Sequence, residues 1–146
     1  MTNLVKRIDM ALHIQELCAE HKITVKYQPL DDITPCYYAN QKTKVIMIRP
    51  TKNTGYYVSA LHEIGHLVGE NQSRDNDLLE KEIGAWKYAM EQALVWTDTA
   101  TRIMKKALCS YGVTEDQFNG IWSDLLEDRM YLTGGLNYLP TYNLPR

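Results

Sequence analysis

Thr54-Gly55-Tyr56-Tyr57-Val58-Ser59-Ala60-Leu61-His62-Glu63-Ile64-Gly65-His66-Leu67-Val68-Gly69 is the stretch on which the reading of this chain turns. Tyr57, Leu61, Ile64 and Val68 recur at i, i+4, i+7 and i+11, the apolar stripe of an amphipathic helix. Asn53 or Thr54 suits the cap, and Gly69 suits the stop. Beside the stripe stands His62-Glu63-Ile64-Gly65-His66, an H-E-x-x-H sequence. Residues four apart on a helix lie one turn above each other. The two imidazoles are therefore placed to grip one metal ion from the same side, with Glu63 in reach of a water on that ion. Two neutral nitrogens hold Zn²⁺ with a position left open, and a carboxylate takes the water's proton. The competing reading is a pair of packed or surface histidines on an ordinary helix. The other histidines, His13 and His21, read as packed or surface residues.

Upstream, residues 4–20 follow the helical period through Leu4, Ile8, Ala11 and Leu12. Ile23, Val25 and Tyr27 alternate with Thr24, Lys26 and Gln28, the pattern of a half-buried strand. Residues 29–35, from Pro29 to Pro35, make a turn-rich connection. A second strand is expected over 36–39, a polar turn over 40–43 and a third strand over 44–49. The third strand is apolar enough to be covered on both faces, Pro50 ends it, and it forms a hairpin with the second.

Downstream of the H-E-x-x-H segment, a polar loop over 70–77 leads to a helix over 78–96. Asp77 and Glu80 sit at capping-box spacing at its start. A helix over 99–111 stops at Gly112. Thr114 and Gln117 cap a last helix that packs Phe118, Ile121, Trp122, Leu125 and Leu126. Gly134-Gly135 ends it, and an extended tail follows over 136–146. The expected fold class is α+β: a small three-stranded sheet packed on an H-E-x-x-H metal helix, with an N-terminal helix and a mainly helical C-terminal half. One domain is expected over 1–146, with its core in 1–97, a helical extension over 98–133 and the tail over 134–146.

Catalytic zinc usually has three protein ligands, and no histidine follows His66. Glu70, Asp75, Asp77, Glu80, Glu82 and Glu91 are the available carboxylates. On the helix over 78–96, Glu82 projects on the side of Leu78, Ala85, Ala89 and Ala93, whereas Glu80 projects beside Gly84, Lys87 and Glu91. A charge among small apolar residues is costly unless paired or metal-bound. Glu82 is the expected third ligand and Glu80 the reserve. The alternative for Glu82 is a solvent-reaching side chain, or one paired with Lys81 or Lys22.

The order of elements resembles the ImmA/IrrE type of gluzincin-like metallopeptidases. Tyr37-Tyr38, Val45-Ile46-Met47-Ile48, Ala60-Leu61-His62-Glu63-Ile64-Gly65-His66-Leu67 and Glu80-Lys81-Glu82-Ile83-Gly84-Ala85-Trp86 carry the resemblance. It covers 36–93 in motifs and 4–30 in layout. It implies His62, His66 and Glu82 as zinc ligands, Glu63 as catalytic base, and limited proteolysis of a regulatory protein, often a helix-turn-helix repressor. Ile83 stands where the family usually has alanine, the loop before Glu82 is short, and the segment after residue 99 has no counterpart. Members often carry a DNA-binding helix-turn-helix domain, and none is evident in these residues.

Composition sets the remaining bounds. The 146 residues are 45% hydrophobic and 23% charged, as in ordinary globular proteins. A net charge of −2 makes no electrostatic case for nucleic acid. No apolar run is long enough for a membrane span, and the N-terminal residues lack a signal-peptide core, so a cytoplasmic protein is expected. Cys18, Cys36 and Cys109 form no C-x-x-C and read as free thiols. Tyr56, Tyr57 and Tyr88 are near enough in sequence to be considered as oxyanion donors, and none is assigned. An edge strand over 36–40 is the expected place for substrate to add as a further strand. Two further readings remain: a zinc-stabilised protein-interaction module without hydrolysis, and an interaction protein without metal.

Overall fold

The computed structural model describes residues 5–28 and 36–133, with side chains as far as Met130. The expected turn-rich connection over 29–35 and the tail over 134–146 lie outside the described residues. The fold is α+β. Helix α1 spans Arg7–Glu20, followed by strands β1 (Thr24–Tyr27), β2 (Tyr38–Asn40) and β3 (Val45–Ile48). Helices α2 (Thr54–Val68), α3 (Leu78–Gln92), α4 (Asp98–Cys109) and α5 (Glu115–Thr133) complete it. No helix of the described residues is long and apolar enough to cross a membrane.

β3 is the central strand. It runs parallel to β1, with Val25 opposite Ile46, and antiparallel to β2, with Ala39 opposite Ile46. The expected hairpin is thus present, and β2 is an edge with no second partner strand among the described residues. Ile46 and Ile48 are fully buried, while Val45 and Met47 are half-buried. The sheet is therefore covered completely on one face only, short of the coverage expected for β3. One apolar cluster runs from Met10 and Ile14 of α1 through Tyr57, Leu61 and Ile64 of α2 to Phe118 and Leu125 of α5.

Several boundaries differ from expectation: β3 covers 45–48 rather than 44–49, α4 covers 98–109 rather than 99–111, and three others differ for a hydrogen-bonding reason. α1 begins at Arg7 rather than at residue 4, because Lys6 is extended and its N–H donates to the Asp9 carboxylate at 2.7 Å. β2 covers 38–40 rather than 36–39, because the Cys36 N–H donates to the Gln28 side chain at 2.7 Å. α3 ends at Gln92 rather than at residue 96. There the Leu94 N–H donates to the Tyr57 hydroxyl at 3.0 Å, and the buried Arg129 guanidinium donates to the carbonyls of Met90 and Ala93. These side chains satisfy backbone groups that the helix leaves open, and Val95 and Trp96 then run into the core fully buried.

α2 and the connection that follows it approach α3 closely enough that two glycines are required there. A Cβ on Gly65 would stand 2.5 Å from the Ala85 carbonyl oxygen and 2.9 Å from its Cα. A Cβ on Gly84 would collide with the Glu70 carbonyl oxygen. Small residues at a helix crossing let the backbones close up. Here the closure brings the side chain of Glu82 across to the histidines of α2.

Candidate metal centre

The Asn53 side chain accepts from the Tyr56 N–H and starts α2. Asp77 accepts from the Glu80 N–H and starts α3. Asn53 and Asp77 cap as expected, while the Glu80 side chain bonds Asn76 rather than closing the expected capping box. Four residues and one turn separate His62 from His66, and their rings lie 4.6 Å apart edge-on. His62 Nε2 is 2.7 Å from Glu82 Oε2, and His66 Nε2 is 3.1 Å from Glu82 Oε1. One donor atom from each of the three residues lies within 4.8 Å of the others. Tetrahedral zinc with ligands at about 2.0–2.1 Å sets donors roughly 3.4 Å apart. The donors converge to that scale, so His62, His66 and Glu82 form a group that can hold a metal ion.

The surroundings fit a metal ligand set. His66 Nδ1 lies 3.2 Å from Gln72 Oε1, whose amide in turn donates to the carbonyls of Glu70 and Lys81. That fixes the amide, and the amide oxygen holds Nδ1 as a protonated nitrogen of His66, which turns Nε2 toward Glu82. Gln41, in the turn after β2, donates to the carbonyls of His66 and Gln72 and ties the sheet to this corner. His62 stacks on Trp86, with ring centroids 4.2 Å apart and planes 11° apart. Glu82 is buried, and its ion-pair partners among the described residues are the two histidines.

The ionisation pattern follows from this. Burial works to raise the Glu82 pKa, yet the hydrogen bonds from His62 and His66 prevail and hold it well below the usual carboxylate range. Burial lowers the His62 pKa against the hydrogen bond from Glu82. For His66 burial also pulls downward, but Glu82 and Glu63 outweigh it and the pKa rises. Glu63 is buried without joining the group. Its Oε1 lies 3.6 Å from His62 Nδ1, beyond a hydrogen bond. Burial, reinforced by Glu82, pushes its pKa up to about 7.

A cleft of about 800 Å³ opens over these residues. His62, Glu63 and His66 form its floor, Ala39 and Asn40 of the β2 edge one wall, and Ala107 and Tyr111 of α4 and its end another. Glu80, the reserve ligand, is exposed and hydrogen-bonded to Asn76 at 2.7 Å, away from the histidines. None of the three tyrosines considered as oxyanion donors lines the cleft. Tyr57 is buried against His13 and Leu94, Tyr88 is packed beside Gly69, and Tyr56 lines a separate cavity with Thr99 and Ile103.

The cleft tyrosines are instead Tyr37 and Tyr111. The Tyr111 hydroxyl donates to Glu82 Oε1 at 3.1 Å. The sequence pattern placed Tyr111 among the apolar residues of its helix, and its position just before the Gly112 stop was the one available signal. Gln41 and Gln72 lie in polar turns where nothing in the sequence sets them apart. Comparisons of the chain with protein-family models, with curated proteins and with solved structures gave no match.

Proposed function

We propose that this chain is a zinc-dependent peptidase that cleaves a regulatory protein in the cytoplasm. One observation carries the reading. A buried carboxylate that is not part of the metal-binding group, Glu63, lines one cleft with that group, beside a strand that has no second partner strand among the described residues. A structural metal site is closed and needs no such carboxylate, whereas hydrolysis needs a base next to an open position.

His62, His66 and Glu82 would hold the ion, and a nitrogen–nitrogen–carboxylate set suits zinc. When bound, zinc supplies Lewis acidity, lowering the pKa of a ligated water to about 7 and polarising a carbonyl. Glu63 takes the proton of the attacking water on its carboxylate and returns it to the leaving amine. The Ala39–Asn40 edge pairs its backbone with an extended substrate segment. The resemblance of residues 36–93 to the ImmA/IrrE peptidases supports a repressor of the helix-turn-helix type as substrate.

Three measurements test this. Elemental analysis of the purified chain should give one zinc per chain, and a folded protein that takes up no transition metal even after zinc addition overturns the reading. Glu63→Gln should keep the metal and lose at least about a hundredfold in hydrolysis. N-terminal proteomics of cells producing wild type should reveal new protein termini that are absent with Glu63→Gln. Identical termini in both leave the non-hydrolytic, zinc-stabilised interaction module as the better account.

A further inference from the structure

Glu82 reaches the histidines on a side chain with three rotatable bonds. A ligand of that length holds its geometry only if something pins the carboxylate. The two histidines contact it from α2, and the third contact comes from outside the α2–α3 pair. Tyr111 follows the last turn of α4, and its hydroxyl donates to Glu82 Oε1, the oxygen that also faces His66. Tyr111 lines the cleft and is 44% exposed, while Glu82, whose carboxylate its hydroxyl meets, is 8% exposed.

The backbone there is held locally. The Tyr111 N–H donates to the Leu108 carbonyl, and the Gly112 N–H donates to the Cys109 carbonyl, each at 3.0 Å. Gly112 then turns the chain at φ +89°, a conformation that side chains rarely adopt. A partly exposed aromatic ring gains little by burial in such a place. Its hydroxyl makes a charge-assisted bond, the stronger kind.

We infer that Tyr111 is the positioning residue of the metal centre: its hydroxyl orients the Glu82 carboxylate and thereby sets metal affinity. The inference rests on the metal reading of His62, His66 and Glu82. It also gives the α4–α5 half a part in the site, although that half lies outside the family resemblance.

Zinc affinity, measured by competition with a chromophoric chelator, tests it without reference to any substrate. Tyr111→Phe removes one oxygen from a half-exposed ring. It should weaken zinc binding about tenfold to a hundredfold, the range for outer partners of metal ligands. Tyr111→Leu should lose as much, since the hydroxyl rather than the ring carries the effect. The metal-free Tyr111→Phe protein should still unfold cooperatively, its melting temperature lowered by no more than the few degrees that one charge-assisted hydrogen bond contributes, and the visible bands of the Co²⁺-loaded protein should shift. Leu78→Ala, which changes another residue lining the cleft, should keep wild-type affinity. Zinc binding by Tyr111→Phe within about threefold of wild type, or an equal loss in Leu78→Ala, overturns the role of Tyr111 alone. A wild-type protein that binds no zinc overturns the metal reading with it.

Discussion

His13 and His62 invite comparison, because each is a half-buried histidine against an aromatic ring and only one belongs to a candidate metal group. His13 Nδ1 lies 2.6 Å from the Tyr57 hydroxyl. That hydroxyl already accepts from the Leu94 N–H, which leaves its own proton for His13. The partners are neutral and complete, and burial lowers the His13 pKa against the pull of Glu16. His62 instead meets a buried carboxylate that it shares with His66. The difference lies in the partner. A neutral partner with its own bonds made yields a structural histidine, while a shared buried charge yields a place where a cation fits.

The sharpest way to break this contrast is to remove one histidine from each region. His62→Ala should weaken zinc binding by more than about a hundredfold, beyond the range of outer-sphere changes. His13→Gln should leave it unchanged, as judged by chelator competition. Equal losses would erase the distinction. Within the metal region, Glu82→Gln should behave like His62→Ala, and Glu80→Gln like wild type. The reverse result would make Glu80 the ligand.

Gly65→Ala tests whether helix spacing sets the site. Forcing a methyl against the Ala85 carbonyl should cost about 1–3 kcal/mol. At roughly 2–4 °C per kcal/mol for a chain of this size, calorimetry should register the loss, together with weaker zinc binding. An unchanged melting temperature would show that the helices part easily.

The smallest effect belongs to His13. Its folded pKa lies below the unfolded value, so protonation favours unfolding. Its contribution is complete above the unfolded pKa of about 6.5 and is lost as pH falls below it. Wild type should therefore lose melting temperature more steeply than His13→Gln over that acid range. Parallel curves would mean that His13 titrates alike in both states.

What the sequence made legible depended on how local the cause was. α2 could be read because its apolar period and its Asn53 cap lie within the helix. Glu82 stood out because a carboxylate among Ala85, Ala89 and Ala93 is costly by itself. The end of α3 is not legible in the sequence because it is set by Tyr57 and by Arg129, which are distant in sequence. Tyr111 escaped notice for the same reason: its periodicity describes a packing residue, and only the fold brings its hydroxyl to Glu82. The tight α2–α3 approach was spelled in Gly65 and Gly84, but a glycine does not name its neighbour.

The candidate ligands lie on both sides of the connection between α2 and α3, and this has a consequence for the stability of that corner. An ion held by His66 and Glu82 would fasten two points about 16 residues apart. It would act as a removable clasp. Unlike a permanent link, the ion leaves when the site opens, so it stabilises the folded corner by mass action. Depletion of the metal should then be felt first as local opening of this corner, with the segment from Glu70 to Asp77 becoming the earliest point of protease entry.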